Sequence, residues 1–276
     1  MGLHRLDPRD WLEVDARRAD ELRRKDELLR VARQDVLATT PGGAGSASEL
    51  LDLVIANLHE HHAGTVAVVD DVVVDASTRA RVELRHLHPI EAASRLVQED
   101  LCVLEHHEDA WTLTSACVCF PSRWRLTDKI GHSLQSIHDP VPGFDTTLAR
   151  PATTFFDRLG VERPVWRLNW TLLDTPELHL PTPAARRRTD APADPSATLW
   201  FRVERQTLRR LEQTGAIAFT IRTYVSPLGE LIDRHPSVVA ALRDTLRTVA
   251  PDVAAYKGWS TMLDPLLAWL DSRAEQ

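Results

Sequence analysis

The amino-acid sequence predicts an α+β fold in which helices flank an antiparallel sheet. Candidate strands come in adjacent pairs, most clearly in LCVLEHHEDAWTLTSACVCF, where two apolar runs lie on either side of the polar stretch HHED. Strands and helices do not alternate regularly, so the parallel sheet of repeated βαβ units is not expected. Residues 227–276 carry helical patterns such as HPSVVAALRDTLRTV, which adds a purely helical end to the chain.

The first hundred residues are predicted to be mainly helical. Residues 14–37 place leucines near the 3.6-residue period of an amphipathic helix. The stretch ATTPGGAGSAS is expected to be a loop, and its final Ser48 is expected to cap the helix ELLDLVIANLHEHH. Two short strands are expected within TVAVVDDVVVDAS. Pro89 is expected to begin a helix that ends near Gln98.

The second half combines strands with helices. A helix is expected over residues 146–159, a strand in PVWRLNWTLL, and a strand pair in ATLWFRVERQTL and GAIAFTIRTYV. Residues 181–197 form a proline-rich polar stretch that is expected to be a surface loop. Residues 227–276 are expected to form helices that pack on the core. All 276 residues are therefore predicted to form one large domain.

The composition argues against several classes of partner. A formal net charge of −7 disfavours nucleic acid, because phosphate-binding proteins usually present a basic face. No run approaches the roughly 18 apolar residues of a membrane span, and the opening MGLHRLDPRDWLEVD lacks the apolar region of a secretory signal. The 3 cysteines suit a reducing compartment. The protein is expected to be cytoplasmic, with neither nucleic acid nor a membrane as its partner.

The histidine-rich and cysteine-containing stretches have simple structural interpretations. HEHH is expected at a helix C-terminus, where imidazoles complement the helix dipole, and EHHED is expected to be a solvated hairpin turn. The cysteines lack the four-ligand spacing of a zinc site. Cys102, Cys117 and Cys119 are therefore expected to be small buried apolar residues, with Cys117 and Cys119 on one face of a strand.

The stretch FPSRWRLTDKIGHSLQSIHDPVPG contains two histidines six residues apart and one of only three lysines in an arginine-rich chain. An ammonium is a compact point charge and a guanidinium is a wide fork, so the retained Lys129 indicates a place where arginine does not fit. If DKIGHSLQSIH is helical, His132 and His138 lie on different faces. Pro140 ends that helix, which leaves His138 at its end. Spacing alone favours a C-terminal cap over a metal ligand.

The same stretch resembles the signature of the haem-dependent oxidative N-demethylase family. MGLHRLDPRDWLEVD, RLNW and RVERQTLRRLEQTGAIAFTIRTY resemble further blocks of that family in the same order, so the resemblance extends over about residues 6–224. It implies a PAS-like antiparallel sheet with flanking helices. It also implies a haem b monooxygenase subunit that demethylates a small alkylamine with O₂. NADPH, FMN and a 2Fe-2S cluster would then belong to separate reductase subunits.

The resemblance implies His138 as the axial ligand of the haem iron, because it occupies the histidine of the family's Ile-His-x-Pro-Val-Pro motif. Such a ligand is a neutral imidazole whose other ring nitrogen is hydrogen-bonded. His132 is incidental to the motif, and no catalytic residue is identified. The haem propionates carry two negative charges. The basic residues expected to bind the haem are Lys129, Arg123, Arg125, Arg202 and Arg205.

Several alternatives remain open at the level of sequence. The chain is either the catalytic subunit, a haem-binding PAS-like sensor, or an assembly subunit without turnover. Cys119 offers a thiolate as another axial ligand. The basic run AARRR, residues 184–188, is either a docking patch for an acidic ferredoxin-like partner or only a basic loop. The amine is not identified, and the oligomeric state is open, with a homo-oligomer among the alternatives.

Overall fold

A seven-stranded antiparallel sheet forms the centre of the protein. The computed structural model describes residues 2–182 and 191–274. Its strands are β1 (His4–Arg5), β2 (Leu37–Thr39), β3 (Val66–Val69), β4 (Val72–Asp75), β5 (Arg81–Glu83), β6 (Asp100–His107), β7 (Ala110–Cys117), β8 (Val165–Leu173), β9 (Trp200–Arg210) and β10 (Ile217–Pro227). The large sheet has the order β1-β8-β9-β10-β6-β7-β2, and β3, β4 and β5 form a small sheet. All pairings within these sheets are antiparallel.

Helices cover the sheet and form the C-terminal part of the chain. In the described ranges they are α1 (Arg18–Val31), α2 (Arg33–Val36), α3 (Ala44–His61), α4 (Pro89–Ser94), α5 (Ala149–Arg158), α6 (Pro195–Thr198), α7 (Leu228–Arg234), α8 (Val238–Arg247), α9 (Pro251–Lys257) and α10 (Leu263–Ala274). Together with the antiparallel sheets, they confirm the predicted α+β class. None of the helices in the described ranges is both long and apolar enough to traverse a lipid bilayer.

The large sheet separates two apolar clusters. On one face, residues of α1, α3 and α4 pack with Leu101, Cys117 and Ala218 of the sheet. On the other face, Cys102, Leu113 and other sheet residues pack with α5 and with the chain between β7 and α5. A third cluster joins α7, α8, α9 and α10 to the ends of β8 and β9. The stretch that contains His138 therefore covers the sheet face opposite to α1, α3 and α4.

The predicted helix DKIGHSLQSIH is wrong. The chain forms two short 3-10 turns, Leu126–Asp128 and Ser136–His138. Between them Gly131 adopts a positive φ of 76°, and its N–H donates to the Leu113 carbonyl at 2.8 Å. A bridge between Thr112 and Ser133 continues this pairing with β7. Strand-like pairing uses the backbone groups that a continuous helix would need. The expectation that His132 and His138 lie on different faces of one helix therefore does not apply.

Several helix boundaries differ from the predictions. The helix predicted over residues 14–37 is divided into α1 and α2, and α4 ends at Ser94, before the predicted Gln98. Helix α3 begins at Ala44, before the predicted cap at Ser48, and the residue at its N-cap is Gly43. A Cβ at Gly43 would lie 2.6 Å from the Ser115 Oγ, so only glycine lets the helix begin this close to β7. The helix predicted over residues 146–159 is a π-helical turn, Phe144–Leu148, followed by α5.

The predicted loop over residues 181–197 is only partly described. Its last residues belong to α6, which begins at Pro195 after the Asp194 carboxylate accepts a hydrogen bond from the Ser196 N–H at 2.9 Å. The basic run at residues 184–188 lies outside the described residues. Its proposed docking role therefore stays a prediction.

Candidate functional site

His138 is held in one orientation by a hydrogen bond and a ring contact. It is the last residue of the 3-10 turn Ser136–His138, and its side chain is half-buried. The Nδ1 atom lies 2.7 Å from the Leu134 carbonyl oxygen. The imidazole stacks on Phe144, with ring centroids 4.4 Å apart and an interplanar angle of 10°. Position and ring plane are thus fixed by neighbouring parts of the same segment.

The protonation state of His138 follows from this hydrogen bond. A carbonyl oxygen only accepts, so Nδ1 carries the proton and Nε2 keeps its lone pair. Burial lowers the pKa of His138, the bond to Leu134 opposes that effect, and the nearby positive charges of Lys129 and Arg167 lower the pKa further. The ring is therefore neutral near pH 7 and presents Nε2 as a ligand atom. Metal-bound histidines use this arrangement.

Lys129 fixes the backbone on the N-terminal side of His138. Its Nζ atom donates to the Ile137 carbonyl, one peptide before the histidine. The ammonium also lies 5.3 Å from the ring centroid of Trp124. Burial lowers the pKa of Lys129, and the nearby acidic groups only partly offset this effect. Lys129 is thus a positioning residue for the 3-10 turn that carries His138.

A row of polar side chains crosses β8 and β9 on one face of the sheet. The strand register places Arg167 opposite Gln206 and Asn169 opposite Glu204, so each pair shares a face. Arg167 donates from Nε to Gln206 Oε1 at 2.8 Å. Gln206 donates from Nε2 to Glu204 Oε2 at 3.1 Å, and Arg202 donates from Nε to Glu204 Oε1 at 3.1 Å. The row links two arginines through one carboxylate and one amide.

This polar row adjoins His138. Val165 precedes Arg167 by two residues on the same face of β8, and Val165 packs in the apolar cluster that also contains Ile137. Burial lowers the pKa of Arg167, with Glu204 opposing the effect. In the sequence, Arg167 belongs to the block RLNW, and it was not predicted to be a site residue. The signal that identifies it is the register between β8 and β9, which one sequence does not reveal.

Two predicted haem-binding arginines lie on opposite faces of the sheet. Arg202 is fully buried, and its guanidinium donates to the carbonyls of Phe120 at 2.5 Å and Leu178 at 3.1 Å. Arg205 donates to the Trp11 carbonyl at 3.2 Å and lies over the Trp166 ring. Alternation along β9 places Arg205 away from Glu204 and Gln206. The structure therefore does not bring Arg205 to the face that carries His138.

The other two predicted arginines lie in the segment before His138. Arg123 donates to an Asp174 carboxylate oxygen at 2.8 Å and has a positive φ of 66°. Arg125 is exposed and lies 3.3 Å from the Asp128 carboxylate. Each arginine therefore has an acidic neighbour within the segment or close to it. A contact of either one with haem stays a prediction.

The alternative ligands considered from the sequence lie elsewhere. His132 is exposed, and its carbonyl accepts the Leu113 N–H at 3.1 Å. Cys119 is buried in the cluster with α1, α3 and α4, on the sheet face away from His138. A hydrogen bond with Cys117 and burial both raise the pKa of Cys119, which keeps its thiol neutral. As predicted, Cys102, Cys117 and Cys119 are all buried.

His138 offers a single imidazole ligand, which is compatible with an axial ligand of haem. Within residues 2–182 and 191–274, no group of three or more histidine, cysteine, aspartate or glutamate side chains is arranged to hold a metal ion. A haem iron needs only one or two axial ligands from the protein. A neutral, fixed imidazole with an available Nε2 could serve as such a ligand, and the charges of Lys129 and Arg167 act on this imidazole.

Two surface depressions in the described part of the chain do not include His138 among their lining residues. One, of about 610 Å³, lies where β1 meets β8 and is lined by Leu3, His4, Arg5 and Glu162 to Val165. The other, of about 450 Å³, is lined by Arg150, Pro151, Thr154, Phe155 and Arg158 of α5. The candidate site is therefore defined by the ligand chemistry of His138 and its charged neighbours.

Comparison with protein families gives a match over nearly the whole chain. Residues 2–267 match the family described as haem-dependent oxidative N-demethylase, alpha subunit-like. The matched range includes His138, Lys129 and the polar row of β8 and β9. It also extends beyond the region of resemblance noted in the sequence, into the C-terminal helices.

Proposed function

Because the chain belongs to the haem-dependent oxidative N-demethylase, alpha subunit-like family, we propose that it is the catalytic subunit of a monooxygenase that demethylates a small alkylamine. The proposed overall reaction consumes the amine, O₂, two electrons and two protons. It releases the amine without its methyl group, formaldehyde and water. The family description supports haem dependence and N-demethylation, while the small alkylamine, the use of O₂ and the type of haem are parts of the proposal.

The observation that carries the proposal is the state of His138. Its Nδ1–H is bound to the Leu134 carbonyl at 2.7 Å, which leaves Nε2 with its lone pair. This supports the proposal that Nε2 would bind the iron of a haem b. When bound, haem supplies the O₂ chemistry that an unreactive N-methyl group requires. Phe144 and Lys129 keep the imidazole in place, and the lowered pKa of His138 keeps a proton from competing for Nε2.

Electrons are proposed to come from separate subunits. The chain has neither a dinucleotide-binding glycine motif nor the four-cysteine spacing of an iron–sulfur cluster. An electron-donating partner is therefore part of the proposal, and the resemblance to the family implies that NADPH, FMN and a 2Fe-2S cluster belong to such reductase subunits. The description of the family as alpha-subunit-like supports the presence of partner subunits.

Absorption spectra of the purified protein test the ligand assignment. We expect a haem Soret band with histidine character, and a reduced CO complex without the red-shifted band of a thiolate ligand. His138→Ala should lose haem or change its ligand-field bands, whereas His132→Ala and Cys119→Ser should keep the wild-type spectrum. Loss of haem in His132→Ala with a normal spectrum in His138→Ala would show that the ligand is assigned wrongly.

Turnover separates an enzyme from a haem-binding sensor or an assembly subunit. Reduced, haem-loaded protein should release formaldehyde from an N-methylated amine in the presence of O₂ and a reductase. His138→Ala protein treated in the same way serves as the control. A protein that remains colourless after addition of haem would contradict the haem assignment. A protein that binds haem but releases no formaldehyde from a series of small amines would support the sensor.

A further inference from the structure

Arg167 is a partly buried cation that lacks a dedicated anion. Its Nε atom is bonded to Gln206 Oε1 at 2.8 Å. Within the described ranges, no carboxylate forms an ion pair with its guanidinium, and Nη1 and Nη2 make no hydrogen bond. Glu204 is the anion whose charge acts on Arg167. Removing a cation from water without pairing it with an anion costs free energy, and an anionic ligand at Arg167 would offset this cost.

Glu204 is already engaged and does not neutralise Arg167. Its Oε1 accepts from Arg202 Nε at 3.1 Å. Its Oε2 accepts from Gln206 Nε2 at 3.1 Å and from Asn169 Nδ2 at 3.3 Å. One negative charge is therefore shared mainly with the fully buried Arg202. The Gln206 amide turns its oxygen to Arg167 Nε, which fixes the direction of that guanidinium.

Lys257 increases the excess of positive charge at this end of the sheet. It is the last residue of α9, and its Nζ atom donates to the Trp170 carbonyl of β8 at 3.2 Å. Burial lowers the pKa of Lys257, with Glu204 opposing the effect. Arg167, Arg202 and Lys257 thus share one carboxylate. Lys257 lies over the Trp259 ring, and its charge acts on the same Glu204 carboxylate.

We propose that the terminal amino groups of Arg167 bind a carboxylate beside His138, as a bidentate pair. Two molecules could supply this carboxylate: haem, through a propionate, or an N-methylated amino acid. The geometry favours the haem propionate. Arg167 lies two residues from Val165, which belongs to the same apolar cluster as Ile137, and the charge of Arg167 acts on His138. This inference rests on the proposed function, because it requires haem at His138.

Haem titrations of the full-length apoprotein test the propionate source. Protohaem and its dimethyl ester have the same iron and ring, but the ester lacks both negative charges. A charge-assisted hydrogen bond contributes about 1.5–3 kcal/mol, so wild-type protein should bind the diacid on the order of 10- to 100-fold more tightly than the ester. Arg167→Gln should remove most of this preference, while the Soret band of the bound haem stays that of a histidine complex.

Two further variants make the test specific. Arg23→Gln removes an exposed arginine of α1, a helix that packs on the other face of the sheet, and it should leave the preference for the diacid unchanged. Arg167→Lys keeps the charge but loses the planar fork, and it should retain part of the preference. Circular dichroism of each variant checks its folding. An Arg167→Lys variant that folds like wild type keeps the test valid even if Arg167→Gln is unstable.

A second titration examines the substrate source. Haem-loaded wild type and Arg167→Gln are titrated with N-methylglycine and with dimethylamine while the Soret band is followed. A selective loss of N-methylglycine binding in Arg167→Gln, with the diacid preference intact, would support a substrate carboxylate at Arg167. If Arg167→Gln changes neither the preference for the diacid over the ester nor the binding of N-methylglycine, the inference is overturned. If wild-type protein binds neither form of haem, both the inference and the proposed function fail.

Discussion

Removing the ammonium of Lys129 should loosen the turn that carries His138. Lys129→Met keeps the length and most of the apolar stem of the side chain, but it removes the donor to the Ile137 carbonyl and the contact with Trp124. A hydrogen bond from a charged donor contributes about 1.5–3 kcal/mol, and a partly exposed cation–π contact about 0.5–1 kcal/mol. Release of the buried charge offsets part of this loss, because burial lowers the pKa of Lys129.

The expected net effect is a loss of about 1–2 kcal/mol in the free energy of unfolding. Haem should also dissociate on the order of tenfold faster, because 1.4 kcal/mol corresponds to a factor of ten. Urea unfolding of the apoprotein measures the first quantity. Transfer of haem to excess apomyoglobin measures the second.

Arg125→Met is the matched control for Lys129→Met. Arg125 lies in the same segment but is exposed, and its contact with Asp128 is a surface pair that contributes little. The free energy of unfolding of Arg125→Met apoprotein should stay within about ±0.5 kcal/mol of the wild-type value. Equal haem dissociation rates and equal unfolding midpoints for Lys129→Met and wild type would refute the positioning role of Lys129.

Two other predictions concern electron supply and pH. NADPH alone should not reduce the haem of the isolated chain, which stopped-flow spectra will show, and rapid reduction without a reductase or flavin would contradict the two-component scheme. His88 caps α4 by accepting the Ile90 N–H at its Nδ1 at 3.3 Å, and burial lowers its pKa. The unfolded state therefore binds more protons, and the stability from this cap is present above about pH 6.5 and declines as the pH falls. Urea unfolding at pH 7.5 and 5.5 should show a decrease of up to about 1 kcal/mol that His88→Asn reduces, and an unchanged pH dependence in that variant would exclude His88 as its source.

Local sequence patterns predicted the longer strands and the pair β3 and β4, whereas the short strands β1, β2 and β5 were not predicted. The predicted strands have local causes. The hairpin of β6 and β7 forms around a two-residue turn in which Glu108 has a positive φ of 53°. Strands β3 and β4 pair around Asp70 and Asp71, as the apolar runs on both sides predicted. Alternating apolar residues and turn-forming residues lie within a few positions of one another in these cases. A single sequence therefore contains most of the information they require.

The turns before His138 were not predictable in the same way. DKIGHSLQSIH has acceptable helical spacing, but its Gly131 N–H binds the Leu113 carbonyl and its Leu134 N–H binds the Trp111 carbonyl at 2.7 Å. These bonds join the segment to β7, which is a tertiary interaction. Local helical preference is weak, and pairing with an existing strand outweighs it.

The candidate site shows the same division between local and tertiary information. His138 was nominated through a local motif in which prolines follow the histidine. Arg167 was missed because its importance depends on its position opposite Gln206 across β8 and β9. Proximity in sequence also nominated both Arg202 and Arg205, although strand alternation places them on different faces. Basic residues near a motif therefore need a strand register before they can be assigned to its ligand.

In each of the three lysines of this arginine-rich chain, the ammonium donates to main-chain carbonyls. This shared environment offers a physical reason why lysine is present at these positions. Lys25 is fully buried and donates to the Val97 and Glu99 carbonyls at 2.8 and 2.6 Å. Lys129 donates to a main-chain carbonyl beside the proposed ligand, and Lys257 donates to one on β8. A compact ammonium at the end of a flexible stem fits between carbonyls where a planar guanidinium would displace them. Lys25→Arg should therefore destabilise the protein by about 1–3 kcal/mol despite its conserved charge. An unfolding midpoint for Lys25→Arg equal to that of wild type would mean that a guanidinium fits at this position and that carbonyl geometry does not explain why lysine is retained.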